Sequence, residues 1–109
     1  MVILSIETSC DETAVSIIDA DGDFPDATYT ILGNALYSQI DIHREYGGVF
    51  PTVAKREHVK TLTKMLEEAL KEAGVLTNAE NELTQKQTED LHEILHREPE
   101  LIEELSTFL

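Results

Sequence analysis

Val2-Ile3-Leu4-Ser5-Ile6-Glu7-Thr8-Ser9-Cys10-Asp11-Glu12-Thr13-Ala14-Val15-Ser16-Ile17-Ile18 opens the chain and decides how the rest of it is read. Two short apolar runs, Val2–Ile6 and Ala14–Ile18, are rich in β-branched residues and bounded by polar ones, which predicts two strands. The seven residues between them, Glu7 to Thr13, then form a tight hairpin connection loaded with hydroxyls and carboxylates. Such side chains, with the turn's own N–H groups, can hold a phosphate or its metal. An ordinary solvated hairpin uses the same residue types.

Downstream of the hairpin, Asp19-Ala20-Asp21-Gly22-Asp23-Phe24-Pro25-Asp26 reads as a turn by composition. Its alternating aspartates mimic the start of a calcium loop, but Gly22 precedes Asp23 and no Glu closes the loop, so a turn is the reading. A third strand is predicted from about Thr28 to Ile40, with Tyr29, Ile31, Leu36 and Ile40 as its apolar positions and Gly33-Asn34 marking a bulge. Gly47-Gly48 makes a turn and Pro51 suits the first turn of a helix reaching Ala73. On that helix Val59, Leu62, Leu66, Ala69 and Ala73 form a stripe, widened by Met65 and Leu70. Lys64 with Glu68 and Glu67 with Lys71 are spaced as helix pairs, and Gly74 is the stop. Val75 to Leu83 reads as a polar linker. Thr84-Gln85-Lys86-Gln87 is a capping box opening a helix with Leu91, Ile94 and Leu95 as its buried stripe. Pro99 starts a short final helix carrying Leu101, Ile102, Leu105, Phe108 and Leu109.

The chain has 109 residues, enough for one small domain with a modest core. Its 8 basic and 22 acidic residues give a net charge of −14. Residues 1–43 contain no Lys or Arg and eight acids, a net of −8, while 44–73 hold six basic and five acidic residues and 74–109 hold two and nine. A surface this acidic repels a phosphate backbone, which argues against strong nucleic-acid binding by this chain alone. The relatively basic stretch from Arg44 to Lys64 is the part that can face RNA or an acidic partner; a solvated helix face is the plainer account. A lone Cys10 forms no internal disulfide, and the start has neither the basic region nor the long apolar core of a signal peptide, so a cytoplasmic location is expected. Beside Asp11 and Glu12 the Cys10 thiol is expected to resist ionisation and to serve as a packing residue.

His92-Glu93-Ile94-Leu95-His96 fits the H-E-x-x-H pattern of zinc proteases. A catalytic zinc needs a third protein ligand, and only 13 residues follow His96. With Leu91 as the buried direction, His92 and His96 lie about 100° and 140° away, toward solvent. Adventitious zinc or nickel binding is the reading for His92 and His96, and protease activity is not expected. His43 and His58 are likewise not assigned to a metal; each can cap or pack.

Two strings together carry a family resemblance. Ile6-Glu7-Thr8-Ser9-Cys10-Asp11-Glu12-Thr13-Ala14 resembles the amino-terminal signature of the TsaD family, formerly called O-sialoglycoprotein endopeptidase or glycoprotease. Tyr37-Ser38-Gln39-Ile40, His43, Tyr46-Gly47-Gly48-Val49-Phe50-Pro51 and Ala54-Lys55-Arg56-Glu57-His58 resemble its second block, with the same order and similar spacing. Thr52 stands where the family has Glu and Lys55 where it has Ser. The resemblance covers roughly the first two thirds of the chain. Members of the family are much longer, and their Gly-Pro-Gly-Leu and His-x-Glu-Gly-His segments have no counterpart here, so an amino-terminal piece is expected.

The resemblance implies an α/β chain, α+β over this length: the start of the first lobe of an actin-like ATPase fold, with three antiparallel strands followed by helices. Residues 1–74 would be that start and 75–109 an acidic helical hairpin inserted after it. It implies a tRNA N6-adenosine threonylcarbamoyltransferase, moving threonylcarbamoyl from its adenylate to the adenosine next to the anticodon. Asp11 and Glu12 are then the candidate catalytic carboxylates, and Thr8 and Ser9 the candidate phosphate-binding hydroxyls. The implied cofactors are a divalent metal (iron or zinc), held outside this chain, and threonylcarbamoyl-adenylate or ATP. The implied partners are tRNA and, in bacteria, TsaB and TsaE. This length alone is expected to be inactive. An alternative role is an interaction module pairing with TsaB through Val59, Leu62, Leu66 and Ala69. An open edge at Val2–Ile6 also predicts self-association as a homodimer or higher.

Overall fold

The structure, a computed structural model, describes residues 1–77 and 82–109. The chain divides into two compact units, Met1–Leu76 and Thr77–Leu109. The first contains β1 (Val2–Glu7), β2 (Glu12–Asp21), β3 (Thr28–Ser38), α1 (Ile40–Arg44) and α2 (Pro51–Glu72); the second contains α3 (Gln85–Ile94) and α4 (Pro99–Phe108). Three antiparallel strands followed by helices is the α+β arrangement expected at the opening of an actin-like first lobe. Among the described residues no helix is long and apolar enough to cross a membrane.

The sheet has the order β1-β2-β3, with β2 in the middle. Residues facing each other across an antiparallel pair share a face, and neighbours along a strand alternate. Thr13, Val15 and Ile17 of β2 therefore point one way, toward α2, and all three are buried. Ile17, Val15 and Ala35 close against Met65 and Ala69 of α2, with Leu32, Tyr37, Leu62, Leu66, Leu70 and Ala73 packed around them. Each large side chain so buried contributes roughly 2 kcal/mol from the apolar surface removed from water.

Helix α2 lies over β2 and β3 and leaves β1 uncovered. Val2, Leu4 and Ile6, on the same face as Val15 and Ile17, are exposed as a result. The opposite face carries Ile31, 70% exposed, opposite Ile18, and Leu36, 58% exposed, opposite Ala14. The sequence reading of β3 names Tyr29, Ile31, Leu36 and Ile40 as its apolar positions, and these four are exposed. The buried residues are Gly33 and Ala35; Leu36 is one step out of phase with them, and the bulge turns Ile31 to the other face. Both faces of this strand are apolar, so alternation alone does not choose between them. The strand also ends at Ser38, and Ile40 begins α1, a short helix the sequence reading did not anticipate.

The bulge falls next to its predicted place. Ile17 faces Gly33 and Ile18 faces Ile31, so Leu32 is the extra residue. Gly33 is there because the backbone of α2 comes down onto it: a Cβ at this position would sit 3.1 Å from the Ala69 carbonyl carbon and 3.2 Å from the Ala73 nitrogen. β2 itself runs on to Asp21, so Asp19 and Asp21 are strand residues and the turn begins at Gly22.

Helix α2 starts at Pro51, whose missing N–H is not needed in a first turn, and stops as Gly74 predicts. Gly74 has φ +70°, its N–H donates to the Lys71 carbonyl at 3.0 Å, and the Val75 N–H donates to the Leu70 carbonyl at 3.1 Å. These two bonds form a Schellman cap. Lys71 pairs with Glu67 and Lys60 with Glu57, whereas Lys64 and Glu68 make no ion pair among the described residues. The buried line of the helix is Ala54, Thr61, Met65 and Ala69, so it includes a polar residue that a hydrophobic stripe omits.

In the second unit the capping box forms as read: the Gln87 N–H donates to the Thr84 hydroxyl at 3.2 Å, and the Thr84 N–H donates to the Gln87 side-chain oxygen at 2.9 Å. Pro99 occupies the first turn of α4. Neither helix has a fully buried side chain, and Ile94, expected in the buried stripe, is 76% exposed while Leu91 and Leu95 are half-buried. Of the expected linker Val75 to Leu83, positions 78–81 lie outside the described residues.

Candidate functional site

The acid-bearing turn, residues 8–11, joins β1 to β2. Glu7 shapes its first half: its carboxylate accepts the Ser9 N–H at 2.7 Å. Cys10 then takes φ 49°, the left-handed region that disfavours a residue with a Cβ. Its thiol is exposed, which corrects its reading as a packing residue: at the apex of the turn it faces solvent. The Asp11 carbonyl accepts the Gln39 N–H at 2.6 Å, tying the turn to the end of β3. Glu12 opens β2 opposite Ser38.

Thr8 and Ser9 are exposed, and Asp11 and Glu12 are half-buried. Among the described residues the Asp11 and Glu12 carboxylates form no hydrogen bond or ion pair, so both remain available to a ligand. The Ser9 hydroxyl is directed at Glu7. Its hydrogen bond is the largest influence holding the Glu7 carboxyl below the usual carboxylate range, followed by the Ser9 N–H; desolvation opposes them, and His58 adds the smallest lowering influence.

Beneath the turn lies a polar network that sequence reasoning did not find. The Phe50 N–H donates to Nδ1 of His43 at 3.0 Å, so that nitrogen carries a lone pair and Nε2 carries the proton. Nε2 donates to the Gln39 side-chain oxygen at 2.6 Å, which orients the Gln39 amide. The amide nitrogen reaches the Ala54 carbonyl and Nδ1 of His58, each at 3.4 Å. His58 in turn meets the Thr13 hydroxyl at 2.8 Å through Nδ1 and the Cys10 carbonyl at 3.0 Å through Nε2. Thr13 also contacts the Thr61 hydroxyl at 2.8 Å, and Thr61 donates to the Glu57 carbonyl at 2.7 Å. Gln39 is 0% exposed and His43 3%, yet no buried side-chain polar atom among the described residues lacks a partner. Unpaired, each such group would cost about 1–3 kcal/mol.

The strings that brought Gln39, His43 and His58 to notice are the same strings that fold into this network. Tyr46 and Phe50 close the connection above it, their rings stacked with centroids 5.1 Å apart. Thr52 and Lys55, the two departures from the family pattern, are exposed near the start of α2. In the basic stretch Arg44 pairs with Asp41 at 3.5 Å.

His92 lies in α3, while His96 falls beyond its end, where Nδ1 contacts the Glu93 carbonyl at 3.0 Å. The two imidazoles are thus not on successive turns of one helix. Among the described residues no three His, Cys, Asp or Glu side chains converge as a metal site. These residues do not supply the ligand set of the divalent metal that the resemblance implies.

Comparison with known proteins agrees with the family resemblance. The family model described as TsaD, tRNA N6-adenosine threonylcarbamoyltransferase, matches residues 30–81, from β3 through α2 and beyond. This is a TsaD-family sequence. Among curated proteins of that name, the one from Synechococcus sp. (strain JA-3-3Ab) is 52% identical over 73 residues, 67% of this chain and 20% of the relative. Those from Fusobacterium nucleatum and Persephonella marina are 48% and 49% identical, each over 75 residues, 69% of this chain and 20% of the relative. The chain therefore spans about a fifth of the length of the TsaD relatives it matches.

Proposed function

We propose that this chain is the opening of the first lobe of a tRNA N6-adenosine threonylcarbamoyltransferase, acting in the cytoplasm, and that its acidic turn borders the reacting groups. The observation that carries this reading is the pairing of half-buried, unengaged Asp11 and Glu12 with a backbone fixed from below by Gln39 and His58. Fixed carboxylates of this kind can orient an attacking amine or a water by accepting its hydrogen bond. Asp11 is the first candidate and Glu12 the second. Thr8 can donate its hydroxyl to a phosphate oxygen, while Ser9 is partly committed to Glu7. Two anions in contact repel strongly, so a carboxylate beside the phosphate of threonylcarbamoyl-adenylate needs a cation or a proton between them. The divalent iron or zinc of the family would supply it from outside this chain.

On this reading the chain alone has no transferase activity, and tRNA, TsaB and TsaE act with the whole protein. The test is to read the coding DNA beyond the Leu109 codon and assay the encoded protein for threonylcarbamoylation of tRNA. Continuation into Gly-Pro-Gly-Leu and His-x-Glu-Gly-His, with activity lost in Asp11→Asn, supports the reading. Turnover by residues 1–109 alone would sink it.

A second reading, an interaction module, draws on the surface left open in the first unit. Leu62 and Leu66 are half-buried, Val2, Leu4 and Ile6 are exposed, and β1 is an edge strand. A TsaB helix pair against α2, or a second copy against β1, would bury these residues. Sedimentation of this chain with and without TsaB separates the two, and a clean monomer at high concentration that ignores TsaB removes both.

A further inference from the structure

We propose that His58 is a positioning residue that fixes the acidic turn from underneath by holding both of its ends. It rests on the reading of Asp11 and Glu12 as functional carboxylates only for its consequence; the geometry stands without it. The imidazole, on the second turn of α2, contacts the carbonyl of Cys10 at 3.0 Å and the hydroxyl of Thr13 at 2.8 Å. Those two residues immediately precede and follow the Asp11-Glu12 pair. One ring therefore spans the four-residue segment that carries both carboxylates, from a helix 45 or more residues further along the chain.

The protonation of the ring follows from its neighbours. Phe50 fixes His43 with its proton on Nε2, His43 fixes the Gln39 amide, and the Gln39 nitrogen faces Nδ1 of His58. The Cys10 carbonyl can only accept a hydrogen bond, so Nε2 of His58, 3.0 Å from it, carries a proton. That Nε2 contact holds Cys10 in its left-handed conformation, φ 49°, which an unsupported non-glycine residue rarely keeps.

Hydrogen exchange and imidazole nitrogen NMR on this chain test the proposal without any activity. In the wild type, Nε2 of His58 is expected to carry a proton. In His58→Leu the amide of Gln39, which donates to the Asp11 carbonyl, and the amide of Glu12 are expected to exchange about tenfold faster. Val15 and Ala73 amides, in the core strand and at the helix end, are expected to stay within about twofold. His58→Gln, which places a donor near the Nε2 position, is expected to restore most of the protection. If His58→Leu does not fold, Thr13→Val removes one of the two holds in a nearly isosteric way, and faster exchange confined to Glu12 and Gln39 is expected again. Unchanged exchange at those amides, an equal rise at Val15, or an Nε2 without a proton overturns the proposal. Should the localised change appear while the whole protein with His58→Leu keeps full kcat, positioning holds and the catalytic reading of the turn fails.

Discussion

The two units of this chain hold their helices in different ways. In the first, α2 is seated on β2 and β3 through Met65 and Ala69, and its stability comes from residues distant in sequence. In the second, α3 and α4 have no fully buried side chain and rely on local devices, the Thr84 box and a proline start. Isolated helices of 10 residues are marginal in water, so caps at that end of the chain matter in proportion. The contrast shows where a family resemblance and a core coincide: the matched segment runs from β3 through α2, where the packing is.

The largest expected effect that sharpens this contrast is in the core. Ile17→Ala, at a position 2% exposed, should destabilise the first unit by about 3–4 kcal/mol, read by chemical denaturation followed at β2 amides. Gly33→Ala comes next, at about 2–3 kcal/mol, because the added methyl meets helix backbone. Thr84→Ala should cost about 1 kcal/mol, seen as lost helicity of α3 by carbon chemical shifts. The contrast breaks if amides of α3 exchange more slowly than those of β2.

The smallest effect is a pH dependence at Glu7. Its folded carboxyl titrates below its unfolded value, first through the Ser9 hydroxyl and then the Ser9 N–H. The unfolded chain therefore binds the proton first, so this contribution is complete above the ordinary Glu value and fades as pH falls through the folded one. Glu7→Gln should flatten that acid-side step by lowering the neutral plateau slightly, with stability at low pH nearly unchanged.

Much of this architecture was legible because local signals agreed. β-branched runs gave β1 and β2, Pro51 and Gly74 bounded α2, and Thr84 with Gln87 wrote out a capping box. The phase of β3 was not legible, since Ile31 and Leu36 are as apolar as a core residue while facing away from α2. At the site, the acids of the turn announced themselves by type, while their support did not. Thr13, Gln39, His58 and Thr61 are polar, so no hydrophobic pattern marks them as inward, and they meet only once the strands and α2 are packed.

Gly33 imposes a constraint that is visible in genetics as well as in energy. The positive-φ glycines Gly47 and Gly74 are required by their own backbone angles, with open space around them. Gly33 is required by its neighbour, and the obstructing atoms belong to the main chain of Ala69 and Ala73. Shrinking a side chain on α2 therefore cannot make room for a Cβ, because Ala69 has almost nothing left to remove. A defect at Gly33 should then yield revertants at the same codon and no intragenic suppressors along the helix.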